Sequence, residues 1–266
     1  MNTFDDTAKQ VEEIASGSIS WGLKKGLMGV VLYFLYYQRF TGNKRYEETA
    51  FNLLENILSG VSVNQYFDYA TGIVGIGNTL LFLKEEGFMD MDSNDFFNDL
   101  DTIVLRKLKS AIVVNFSHDT GIIGLCHYAI HRPIQMEAIQ QAFHHLIKGF
   151  EKKICDIDPV FLFPSEILED IKLFLLEITP VEEISEQITA IHQRIERFES
   201  HHSILQSNCP DYRTIQQLRE AEICHNPKEI QFLLAEIANE SSDVVLRGLA
   251  AMSREELSLP SWWKLF

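Results

Sequence analysis

Residues 26–37 read GLMGVVLYFLYY, residues 72–83 read GIVGIGNTLLFL and residues 121–130 read GIIGLCHYAI. The leading glycines Gly26, Gly72 and Gly121 stand 46 and then 49 residues apart. Self-similarity at such a period is the mark of a stacked-hairpin architecture. Each Gly-x-x-Gly follows a short polar or aromatic stretch and opens an apolar run, so each marks a helix start. The first two runs close at Gly42 and Gly87, where left-handed C-terminal caps are expected. The third closes at Arg132-Pro133.

Behind each run lies a second segment that is apolar on one side only. Tyr46, Ala50, Leu53, Leu54, Ile57 and Leu58 form the first stripe, and Leu100, Val104, Leu108 and Ile112 the second. Met136, Ile139, Phe143, Leu146, Ile147, Phe150 and Ile154 form the third. Spacings of three and four place these side chains on one helical face. A helix apolar all round belongs in an inner layer, and a one-sided helix covers it from outside. The pattern predicts an all-α protein, an α/α toroid or partial toroid of inner and outer helix hairpins. Glycines three apart at each inner helix start let neighbouring backbones approach closely.

The second half keeps the helical spacing without the glycine signature. Val181, Ile184, Ile188, Ile191, Ile195 and Phe198 make one stripe, on a helix started by Pro180. Ile167, Leu168, Ile171, Phe174, Leu175 and Ile178 make another just before it. Asn226-Pro227 with Glu229 is a helix start for Ile230, Leu233, Leu234 and Ile237. An N-terminal helix carries Phe4, Ala8, Val11 and Ile14, and the stretch from His201 to Pro210 is read as a long loop. Together these give about eleven helices in a single repeat domain over residues 1–266, regular over 20–155 and divergent over 156–266.

Composition narrows the partners. The 266 residues carry 38 Asp and Glu against 23 Lys and Arg, a formal net charge of −15. Such a surface repels phosphate backbones and anionic bilayers, so neither nucleic acid nor membrane is the expected partner. The acidic N-terminus lacks the basic and then apolar order of a secretory signal, and the apolar stretch from Gly26 to Tyr37 is too short to span a bilayer. Cys126, Cys155, Cys209 and Cys224 show no paired spacing, so reduced thiols in a cytoplasm are expected.

The segments GLMGVVLYFLYYQRFTGNKRYEETAFNLLENIL, FDYATGIVGIGNTLLFL and FSHDTGIIGLCHYAI resemble successive repeats of the lanthionine synthetase C-like family, over residues 20 to 155. That resemblance implies an α/α toroid. In the family's cyclases it also implies joining a peptide cysteine thiol to a dehydrated Ser or Thr, with a zinc ion activating the thiol. Zinc doing such work takes about three protein ligands and an open position. The family also places an Asp before one Gly-x-x-Gly and a His before another. Asp68, four residues before Gly72, matches that Asp. His118 stands three residues before Gly121, where the family's His directly precedes its glycine. The family's Cys and Cys-His zinc ligands have no counterpart. Cys126-His127 lies inside a helix, and Cys224-His225 is followed by Asn226-Pro227.

Asp68 and His118 are therefore the candidate catalytic pair, with Tyr69 and Asp119 as substrate-binding neighbours. Asp68 has an alternative as a helix-cap carboxylate, and His118 with Asp119 as a solvated loop pair. No metal or other cofactor is expected. A Cys126, His127 and His131 zinc cluster is the alternative, since positions 127 and 131 share a helix face. Adjacent residues point about 100° apart on a helix, which works against Cys126 and His127 sharing an ion. Trp262-Trp263 with Phe266 is expected to dock against the helices. The leading functional expectation is an accessory protein of ribosomal peptide maturation that binds a precursor peptide or a peptide-modifying enzyme. The alternatives are an active thioether-forming cyclase and a carbohydrate-active toroid using Asp68 and Asp119.

Overall fold

The computed structural model describes residues 3–17, 20–24, 26–61, 67–90, 94–110, 115–132, 163–164, 185–201, 204–205, 210–223, 225–256 and 261–265. Leu259 and isolated positions between 137 and 175 are also described. The chain groups into two compact units, Met1–Ser93 with Pro210–Phe266, and Asn94–Cys209.

In the first unit, α1 spans Thr3–Gly17, α2 Leu27–Thr41, α3 Lys44–Gly60 and α4 Ile73–Glu85. The glycines do what their spacing implied. Gly26 and Gly72 are the extended N-caps of α2 and α4, and Gly42 and Gly87 adopt φ of 72° and 67°. The second glycine of each pair lets the preceding loop fold back onto the helix. A Cβ on Gly29 would sit 2.5 Å from the Leu23 carbonyl oxygen, and one on Gly75 would overlap the Tyr69 carbonyl oxygen.

Layering follows from side-chain character. Every residue of α2 from Met28 to Tyr37 is buried, and every residue of α4 from Ile73 to Leu83. On α3 only Tyr46, Ala50, Leu54 and Ile57 are, the stripe that faces α2. Within α1, Ala8 and Val11 are buried while Ile14 stays 39% exposed, because that helix covers its neighbours with one turn of its stripe only.

The same unit takes in the chain's last elements, α8 Pro210–Ile223, α9 Pro227–Glu240 and α10 Val244–Glu255, ending in a 3₁₀ turn at Trp262–Leu265. Asn226 caps α9, its side chain accepting the Glu229 N–H, with Pro227 at the first turn. Asp243 caps α10 by accepting the Val245 and Leu246 N–H groups. Helix α10 packs on α2 and α1. There Gly248 leaves room for the Tyr33 ring, and Arg247 donates to Gln10. Both ends of the chain thus share one core. Trp262 and Trp263 dock as expected, Trp262 Nε1 donating to Ser253 at 3.1 Å and Trp263 Nε1 to Glu222 at 2.6 Å.

In the second unit, α5 Asn94–Ser110 packs on α6 Ile122–Ile130, with α7 at Ser185–His201. Leu100, Val104 and Leu108 are the buried stripe of α5. Asp101 receives the Tyr128 hydroxyl at 2.7 Å and the Arg132 guanidinium at 2.8 Å, which fastens α5 to the end of α6. Ile171, Phe174 and Leu175 are buried, as are Ile188, Ile191 and Ile195 of α7. The stretch read as a loop contains structure. Ile204–Leu205 (β2) pairs in parallel with Phe163–Pro164 (β1), and α8 already begins at Pro210. Pro180, Ile112 and most of the third outer stripe lie outside the described residues. Among the described residues no helix is long and apolar enough to cross a membrane.

Candidate functional site

The loops that lead into the inner helices carry the candidate residues, and each is pinned to the helix it precedes. One register recurs in all three repeats, the residue three before the leading glycine and the residue six after it, and in two of them the pair is hydrogen-bonded. In the first repeat these positions are Leu23 and Leu32, both buried. In the second they are Tyr69 and Asn78, and the Asn78 amide donates to the Tyr69 hydroxyl at 2.6 Å. In the third they are His118 and His127, whose Nε2 and Nδ1 atoms lie 2.9 Å apart. A buried polar group must be hydrogen-bonded, and a partner nine residues away on the helix answers that need while fixing the loop.

Asp68 is half-buried, and its carboxylate is engaged at close range. It accepts the backbone N–H of Thr71, that of Gly72 at 3.0 Å, and the Thr71 hydroxyl. The first turn of a helix leaves N–H groups without intrahelical acceptors. Gly72, as N-cap, has no side chain to offer them, so Asp68 supplies the oxygen from four residues upstream. Its neighbour Tyr69 turns inward and is 1% exposed.

In the second unit His118 is 2% exposed and His127 3%. The His118 backbone N–H donates to buried Asp170 at 2.9 Å, and the Asp119 carboxylate lies 3.5 Å from His118 Nδ1. With that carboxylate behind Nδ1, the ring is oriented so that Nε2 meets His127. His131, the C-cap of α6, holds its ring 5.3 Å from that of His127 between centroids. The result is a file of imidazoles, from the loop to the far end of α6, with a carboxylate at its start. Asp68 and Tyr69 belong to the first unit; His118, Asp119, Cys126, His127 and His131 belong to the second.

Of the four cysteines only Cys126 lies among the described residues. Cys126 is fully buried, and burial pushes its thiol up to about 12. Among the described residues no group of three or more His, Cys, Asp or Glu side chains is placed to hold a metal ion.

Reading the sequence missed Asn78, Asp170 and the pairing of His118 with His127. A signal existed for two of these. Asn78 and His127 are polar residues at the same register of otherwise apolar inner helices, nine residues after Tyr69 and His118. Asp170 comes from a segment with no repeat signature, and nothing local announces it.

No known family profile matches the sequence, and no curated protein matches it. Among solved structures, nisin cyclase superposes with a TM-score of 0.58, over 89% of this chain and 74% of its own, at 13% sequence identity. A likeness at that identity speaks for architecture alone: the protein is an all-α chain with an α/α toroid fold similar to that of nisin cyclase.

Proposed function

We propose that the protein is a lanthionine synthetase C-like accessory component of ribosomal peptide maturation, which holds a precursor peptide without closing its thioether rings. One observation carries this reading. Asp68, which matches the family's Asp, and His118, which stands three residues before its glycine where the family's His directly precedes it, serve the loops themselves, Asp68 as the acceptor for Thr71 and Gly72 and His118 as the buried partner of His127. The fold likeness to nisin cyclase supplies the peptide context.

The test is to mix the purified protein with a leader-bearing precursor peptide that contains dehydrated Ser or Thr. The reading expects saturable binding with no loss of free thiol in the peptide. Thiol consumption beyond the uncatalysed rate favours a thioether-forming cyclase instead. That second reading has the oriented Asp119–His118–His127 file as its support, since such a chain is suited to moving protons. A carbohydrate-active role through Asp68 and Asp119 would need Asp68 to release Thr71 and Gly72.

A further inference from the structure

The polar loop–helix pairs of the second and third repeats share a register but not a chemistry. A latch needs one donor and one acceptor. Tyr69 and Asn78 provide them as a phenol and an amide, neither of which gains a proton in mildly acidic water. The third repeat uses two imidazoles, His118 Nε2 facing His127 Nδ1 at 2.9 Å, both rings buried. One hydrogen lies between those nitrogens. The bond tolerates one further proton on the pair. It does not tolerate two, because two imidazolium N–H groups would then face each other with no lone pair between them.

We propose that the His118–His127 pair is an acid-operated latch, closed at neutral pH on the loop that precedes α6 and released when both rings are protonated.

The groups around the pair sharpen this response. On the loop, the Asp119 carboxylate lies 3.5 Å from His118 Nδ1. From the segment at 170–172, Asp170 accepts the His118 backbone N–H at 2.9 Å. These two negative charges favour the first proton. At the end of α6, His131 stands 5.3 Å from His127 between ring centroids. On α5, Asp101 is committed to Tyr128 and Arg132. With the latch open, each ring takes a proton near an ordinary value of about 6.5, whereas the closed latch excludes the second one. Below that pH the open form holds one proton more than the closed form. The open-to-closed ratio then rises about tenfold for each unit of further acidification.

Amide hydrogen exchange across residues 115–129, read between pH 7 and pH 5 and corrected for the intrinsic exchange rate, tests the latch. Protection in the native protein falls about tenfold per pH unit on the acid side, while residues 69–78 with the tyrosine–asparagine pair hold a flat profile. The double substitution His118→Tyr with His127→Asn installs the second repeat's chemistry and flattens the profile of the third. The same slope in both proteins overturns the proposal. So does an imidazole ¹⁵N spectrum of the native protein showing both rings protonated at pH 5 with the loop still protected. That measurement stands even if the double substitution fails to fold.

Discussion

Substituting three glycines in turn would separate packing from backbone conformation. At Gly75 an added methyl overlaps the Tyr69 carbonyl oxygen and lies 2.9 Å from the carbonyl carbon. Carbon atoms pack comfortably from about 3.5 Å, so the loop has to retreat by at least about 0.6 Å. That strain costs about 1–3 kcal/mol. The moving backbone belongs to Tyr69, so the 2.6 Å bond from Asn78 is lost as well, and stranding a buried amide costs about 1–3 kcal/mol. Alanine returns about 0.5–1 kcal/mol through its better helix propensity. Gly75→Ala should therefore destabilise the protein by about 1–5 kcal/mol. Two open positions serve as controls. Gly42 has nothing within 4 Å but holds φ at +72°, so Gly42→Ala should cost about 1 kcal/mol. Gly17 has open space and no such φ, so Gly17→Ala should be neutral or stabilise by up to about 1 kcal/mol. Urea unfolding followed by circular dichroism gives all three values. Equal effects at Gly75 and Gly17 would refute the idea that the glycine pairs exist to let each loop close onto its own helix.

The register pair should behave as a unit. Tyr69→Phe removes the acceptor of the buried Asn78 amide and should cost about 1–3 kcal/mol, much of it recovered when Asn78→Leu is added, as a double-mutant cycle in urea would measure. Asp68→Ala should lower stability by about 1–2 kcal/mol while Asp68→Asn retains part of the cap; loss of precursor binding with stability unchanged would contradict the capping role. Cys126 should resist iodoacetamide at pH 8 in the folded protein and react once unfolded, because its thiol is pushed up to about 12. Tyr33, Tyr37 and Tyr128 are all held protonated above their ordinary value, chiefly by burial. Above about pH 10 the unfolded chain releases those protons and the folded one keeps them, so stability is full below that pH and falls as pH rises through it. Ultraviolet difference titration should show these phenols ionising only together with unfolding.

Much of the fold was legible because glycine and helix-cap chemistry act locally. Gly26, Gly72 and Gly121 cap helices wherever the chain goes afterwards, and Asn226-Pro227 fixes the start of α9 without help from tertiary contacts. Helix α10 escaped notice although Asp243 caps it well, since its buried face mixes Leu246, Leu249 and Met252 with Gly248, Ala250 and Ser253. Helix α8 was hidden for a related reason. It buries Thr214 and Arg219 beside Ile215 and Leu218, and a stripe that includes charge does not read as apolar. The candidate site was legible in position but not in direction. Asp68 and His118 were found from their distance to the glycines, whereas the inward turn of Tyr69 and His118 depends on Asn78 and His127 one and a half turns into the helix.

The first unit draws its residues from both ends of the chain, with all of Asn94–Cys209 threaded between. During synthesis the Tyr33 face of α2 is made early, while Gly248, which seats against it, follows 215 residues later (248 − 33). At about 5–20 residues per second the interval is on the order of ten seconds or more. Over that time an aromatic surface waits uncovered beside the ribosome, so a chain cut short before α10 would keep its earlier helices and an unsealed core.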